Sequence, residues 1–191
     1  MQDPVLFALT VLLILGTPGP TNTLLATAGA TVGFRRALPL VPAEAAGYLI
    51  AILVIGLALG PAIAGLPAVA AGLRLAVGGY LSWLALKLWR RGPVDLSAMP
   101  VTPRQVFVTT LLNPKALVFA LGVIPFGAAR WWPWLLAFLV MLAGVALGWI
   151  ALGSVLGRAA GEAGRAGLVP RIGAAAVGAF ALVLVIGPLL R

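Results

Sequence analysis

Apolar residues along the chain come in six long runs, residues 4–34, 37–60, 66–88, 105–129, 131–156 and 169–190, set apart by charges and by clusters of proline and glycine. A bilayer core about 30 Å thick takes roughly 20 apolar helical residues to cross, so each run can span it. The longest polar connection, residues 90–104, carries Arg90, Arg91, Pro93, Asp95, Ser97, Pro100 and Pro103. It parts the chain into residues 1–89 and residues 105–191, with three runs in each. The pattern predicts an all-α integral membrane protein, a single transmembrane domain of six helices in two three-helix repeats.

The first run is too long for one straight helix, since roughly 30 residues at 1.5 Å rise reach about 45 Å. The stretch Thr17-Pro18-Gly19-Pro20-Thr21-Asn22 supplies a break. Each proline removes a backbone donor and clashes with the preceding turn, while glycine loosens the chain. Carbonyls freed at that depth are tolerable only against protein or a water-lined cavity. The fourth run carries a matching interruption at Asn113-Pro114-Lys115. A shift of about 95 residues lays Pro18-Gly19-Pro20 over Asn113-Pro114-Lys115 and Arg35 over Arg130. Three spans per half make the second half enter from the opposite side, so the repeats are inverted and helices one and four are the broken ones. Interruptions at corresponding positions of such halves point to a transport site near the bilayer midplane.

Composition strengthens the membrane reading: 62% of the 191 residues are hydrophobic and 9% charged, too little polar surface to cover a soluble core. The formal net charge of +9 is scattered between apolar runs instead of forming a basic face, which argues against nucleic acid as a partner. It reports topology. Connections one, three and five hold Arg35, Arg36, Lys87, Arg90, Arg91, Arg104, Arg158, Arg165 and Arg171, against Arg74, Arg130 and Arg191 on the other side. The richer side faces the cytoplasm, with both termini outside. Met1-Gln2-Asp3 lacks a signal peptide's basic start and reads as the beginning of a retained first helix. Cysteine and histidine are both absent, which excludes disulfides, thiol redox chemistry and thiolate or imidazole metal ligands. No phosphate-cradling loop is present, so transport would draw on an ion gradient, most simply of protons, and no cofactor is expected.

Few residues remain to carry chemistry. Lys115 lies about ten residues into its run, roughly 15 Å deep. A lysine there costs about 2.5–3.5 kcal/mol unless it meets water or a partner. It is suited to a substrate carboxylate, or else to the carbonyls freed at Pro18 or Pro114. Glu44 is the one acidic residue expected within the membrane, either as an alternating carrier of a proton and a cationic group or as an interfacial carboxylate near a helix start delayed by Pro39 and Pro42. Tyr48, four residues on, shares its face and offers a hydroxyl, or packs as an aromatic between helices. Asn22, Asn113, Thr17 and Thr21 can bind polar substrate groups or the freed backbone. Gly47, Gly78 and Gly79 suit close helix packing, and Trp83, Trp89, Trp131, Trp132 and Trp134 read as interfacial anchors.

Thr17-Pro18-Gly19-Pro20, Gly33-Phe34-Arg35-Arg36, Gly78-Gly79-Tyr80-Leu81, and Leu112-Asn113-Pro114-Lys115-Ala116 followed by Phe119 and Pro125-Phe126 occur here in one order. In these motifs the chain resembles the LysE/RhtB family of bacterial amino-acid exporters over nearly its whole length. The resemblance implies proton-driven export of amino acids or analogues across the bacterial inner (plasma) membrane by a multi-pass protein. It also implies that Pro18, Gly19, Pro20 and Asn113, Pro114, Lys115 line the path. Where the family carries Gly-Asp in its second span this chain has Gly47-Tyr48, and Glu44, one turn earlier, is the geometric replacement. Family members act on other solutes too, including a metal-resistance branch, so a metal cation is an alternative cargo. A membrane-embedded enzyme using Glu44 and Lys115 on a lipid, and a non-transporting scaffold, are the other classes; the sequence offers no nucleophile and base set for the enzyme. The expected partners are an amino acid and membrane lipids. The small size admits a homodimer, though no dedicated interface is visible.

Overall fold

The computed structural model describes residues 3–59 and 101–162, with Gly79, Trp83, Leu86 and Ala175 besides. Most of the expected spans 66–88 and 169–190, with Gly78, Trp89 and residues 90–100 of the linker, lies outside the described residues. Every element among the described residues is helical.

Helix α1 (Pro4–Gly16) starts where Asp3 accepts from the Val5 and Leu6 amides at 2.8 and 3.2 Å, with Pro4 at a position that needs no donor. It ends where Pro18 has no N–H to give. The Thr17 hydroxyl donates instead to the Leu13 and Ile14 carbonyls at 2.8 and 2.9 Å, and Gly19 runs extended. The chain restarts at Pro20 as α2 (Pro20–Val32), bent 64° from α1. Gly33 then adopts φ 82°, the left-handed region that glycine enters without strain, and turns the chain into α3 (Phe34–Ala37).

Helix α4 (Leu40–Leu53) continues as a π-helical turn, Val54–Leu59. Helix α5 (Pro103–Leu111) opens on a capping box between Thr102 and Gln105, so it begins inside the stretch expected as linker. It breaks at Leu112 and Asn113 and resumes, 46° away, as α6 (Pro114–Val118) and a second π-helical turn, Phe119–Val123. Helix α7 (Trp132–Glu162) runs past the expected end at residue 156, since Gly157-Arg158-Ala159-Ala160-Gly161 contains no proline to stop it. Its 31 residues reach roughly 46 Å, beyond a bilayer's hydrocarbon core.

Among the described residues two helical stretches, Phe34–Ala58 and Trp132–Gly161, are long and apolar enough to cross a membrane, and there are four if each bent pair counts as one span. Their outer faces are carbon: Leu13 on α1 and Val140 on α7 are each 73% exposed, beside Leu9, Leu136 and Leu152. Lipid solvates such faces at no cost where water would not. Trp132 is exposed, whereas Trp134 packs edge-on against Phe7 with ring centres 4.9 Å apart and Trp131 lies against Phe126.

Helices α2 and α7 meet backbone to backbone. A Cβ added at Gly153 would land on the carbonyl of Ala26, and one at Gly157 on that of Ala30. Small residues permit this approach, which lets van der Waals contact replace the hydrophobic drive that lipid removes.

Candidate functional site

Buried apolar side chains form two clusters. One holds Leu24, Leu25, Leu40, Val106, Ala146 and Ile150; the other holds Leu15, Tyr48, Ala116, Phe119, Phe138 and Leu142. The long helices pass from one to the other, and the buried polar residues other than Thr27 and Ser154 lie at the crossing. Between Leu15 and Leu24 stand Thr21 and Asn22; between Leu40 and Tyr48, Glu44; between Val106 and Ala116, Thr109, Thr110 and Asn113. On α7 the crossing falls between Leu142 and Ala146, near the middle of that helix. A polar layer thus cuts the core at mid-height, level with both helix breaks.

Local chemistry builds this layer. At the first break the Leu15 and Thr17 carbonyls lose their helical donors, and the Asn22 amide donates to both, at 2.7 and 3.0 Å. At the second break Asn113 accepts from the Lys115 amide through Oδ1 at 3.0 Å, while its Nδ2 donates to Thr21 Oγ1 at 3.1 Å. Thr110 donates to the same hydroxyl at 3.2 Å. The two interruptions, about 95 residues apart in the sequence alignment of the halves, are therefore in direct contact. The Lys115 ammonium seals the contact by donating to the Thr17 carbonyl at 2.5 Å, its stem passing 3.3 Å from where a Gly19 Cβ would sit. Of the two roles weighed for Lys115, carbonyl partner is the one this conformation displays.

Glu44 occupies the facing side. Helix α4 starts late, at Leu40, as Pro39 and Pro42 allow, and Glu44 is 1% exposed, covered by the helices packed on α4. Its Oε2 is buried without a hydrogen-bond partner among the described residues. Gly47, three residues on and on the same face, has no Cβ because the Phe107 carbonyl and the Thr110 Cβ would each stand 2.8 Å from it. That contact holds the Glu44 face of α4 against the Thr110 end of α5. Glu44 and Lys115 lie within each other's electrostatic field, and Tyr48 within that of Glu44. The Tyr48 ring stands edge-on to Phe119 and Phe138, centroids 5.9 and 5.8 Å away, which places it in the aromatic cluster just beyond the carboxylate.

The layer thus gathers Gly19, Asn22, Glu44, Asn113 and Lys115, with Pro18, Pro20 and Pro114 shaping the breaks and Tyr48 on one flank. Sequence reasoning missed Thr110, and for Thr21 it offered a substrate group or the freed backbone, not the Thr110 and Asn113 side chains that donate to it. Thr110 could have been noticed, because it lies four residues before Pro114 and loses a helical partner for its carbonyl, which the Asn113 amide takes up at 3.0 Å. No group of three metal-binding side chains exists among the described residues. Replacing Asn22 by alanine would leave the buried Leu15 carbonyl short of a donor, at roughly 1–3 kcal/mol, while the Thr17 carbonyl keeps the Lys115 ammonium. Asn22→Ala is therefore expected to lower the thermal unfolding midpoint in detergent more than Thr31→Ala, whose hydroxyl only back-bonds within α2.

Against family models, curated proteins and solved structures alike, the chain finds no match.

Proposed function

We propose that the protein is a secondary-active exporter of amino acids or close analogues across the bacterial inner membrane, coupled to protons. Six spans in two inverted three-helix repeats would carry the chain across, with the broken helices at the centre. The observation that carries this reading is the buried polar layer at mid-height, where an unpartnered carboxylate oxygen and a lysine ammonium face the contact of two helix breaks. Burying a carboxylate without a partner costs several kcal/mol, and ionisable groups at such depth mark ion or substrate paths. Among the described residues only the field of Lys115 offsets that cost and no hydrogen bond reaches Oε2, so a ligand or a proton is its natural counterpart.

In this reading the carboxylate of an amino acid displaces the Thr17 carbonyl from Lys115, since a charged acceptor binds an ammonium more strongly than a neutral one. The start of α2, which no side chain caps, adds partial positive charge on the same side. Glu44 takes the substrate's ammonium or, alternately, a proton, so the two cannot occupy the site together. Asn113 and Asn22 hold the breaks in register. The resemblance of the Pro18-Gly19-Pro20 and Asn113-Pro114-Lys115 motifs to amino-acid exporters agrees with this chemistry.

Glu44→Gln keeps the shape and removes the charge that a proton must neutralise. In proteoliposomes the variant is expected to exchange substrate only weakly, since the ammonium loses its charged partner, and to lose accumulation driven by a pH gradient. Gradient-driven accumulation equal to the parent's would remove Glu44 from the coupling.

A further inference from the structure

Away from the polar layer, a cleft of about 600 Å³ opens where the end of α2, α3 and α7 come together. Three arginines line it: Arg35 and Arg36, carried there by the turn at Gly33, and Arg158 from α7. All three are exposed, and among the described residues none makes an ion pair or hydrogen bond. Glu162 follows Arg158 by four residues, and even with its charge included the cluster stays net positive. The wall is apolar, with Val32 and Phe34, and holds one buried polar group, Ser154, 6% exposed and likewise without a hydrogen bond among the described residues.

The surroundings say what fits. Arg35 and Arg36 follow the end of an apolar run, so the cleft lies at the level where hydrocarbon gives way to headgroups. Its rim continues into exposed Val155 and Leu156 on α7 and Leu38 beyond α3. A soluble anion would satisfy the guanidinium groups and leave the carbon wall wet. A phospholipid satisfies both, with phosphate oxygens on the planar donors of arginine and acyl chain on the wall.

We infer that this cleft is a binding site for an anionic phospholipid of the arginine-rich leaflet, its phosphodiester held by Arg35, Arg36 and Arg158 and by the Ser154 hydroxyl. The site is independent of the transport reading, since it uses none of the residues of the polar layer. Each basic side chain near an anionic headgroup contributes about fivefold in affinity.

The test is a lipid titration of the purified full chain in mild detergent, followed by native mass spectrometry, with phosphatidylglycerol, phosphatidylcholine and inorganic phosphate as probes. Saturable binding of phosphatidylglycerol alone is expected, weakened roughly fivefold by Arg158→Gln and lost in the triple variant Arg35→Gln/Arg36→Gln/Arg158→Gln. Arg104→Gln, which removes a charge from the same side but outside the cleft, should leave binding unchanged. Arg36→Gln alone gives a second reading if the triple variant does not elute as a folded species. Equal binding of phosphatidylcholine, displacement of the lipid by inorganic phosphate, undiminished binding in both Arg158→Gln and Arg36→Gln, or an equal loss in Arg104→Gln would each overturn the assignment.

Discussion

Lys115→Met is expected to abolish the proposed solute exchange while the protein remains inserted and about as heat-stable as the parent. Two opposing terms make stability nearly silent. The substitution removes an ammonium whose burial in the membrane costs about 2.5–3.5 kcal/mol, and it removes a charged hydrogen bond of about 1.5–3 kcal/mol to the Thr17 carbonyl. That carbonyl is not orphaned, because Asn22 still donates to it at 3.0 Å. Methionine keeps the unbranched stem that lies against Gly19. On the proposed reading function has no such compensation: the substrate carboxylate loses the one cation that the described residues bring to the polar layer, roughly 30-fold for about 2 kcal/mol. Radiolabelled exchange and thermal unfolding of the same preparation check both halves. If unfolding falls sharply while exchange by the surviving protein is normal, Lys115 is a structural clamp.

Gly153→Ala produces the largest loss of stability, against the ordinary trend. Alanine favours helix over glycine by about 1 kcal/mol, so at an open helical position the change stabilises. At Gly153 the new methyl meets the Ala26 carbonyl of α2, which is backbone and cannot swing aside. Helices α2 and α7 have to separate, at about 3 kcal/mol or more. Gly148, on the same helix, has nothing within 4 Å of its would-be Cβ, so Gly148→Ala is expected to be neutral or mildly stabilising. Opposite shifts of the unfolding midpoint in the two variants are the expected result. Equal shifts would deny the close approach of the two helices.

Both breaks were legible in the sequence because their cause is local. Pro18, Pro20 and Pro114 lack a donor wherever the chain goes, and the bends of 64° and 46° follow. That the breaks touch was legible only as a correspondence between two halves, and their shared hydroxyl, Thr21, looked like any threonine beside a kink. Glu44 was ambiguous for a physical reason. Pro39 and Pro42 fix where α4 starts but not what covers it, and its burial comes chiefly from α5 packing on it, with α6 and α7 beside. The Gly153-xxx-Gly157 spacing stands in the sequence, yet only the fold assigns α2 as its partner. Tyr48 shows the same limit: its spacing from Glu44 placed it on the right face, while Phe119 and Phe138, distant in the sequence, decide what its ring touches.

Counterflow tests the central claim most directly. Proteoliposomes containing the purified chain are preloaded with a panel of unlabelled amino acids, and uptake of the labelled counterpart is followed for the parent, Lys115→Met and Glu44→Gln. An amino-acid exporter accelerates exchange of one class of amino acid, loses it with Lys115→Met and keeps only a weakened exchange with Glu44→Gln. Exchange no faster than in protein-free liposomes for every amino acid in the panel would contradict the account.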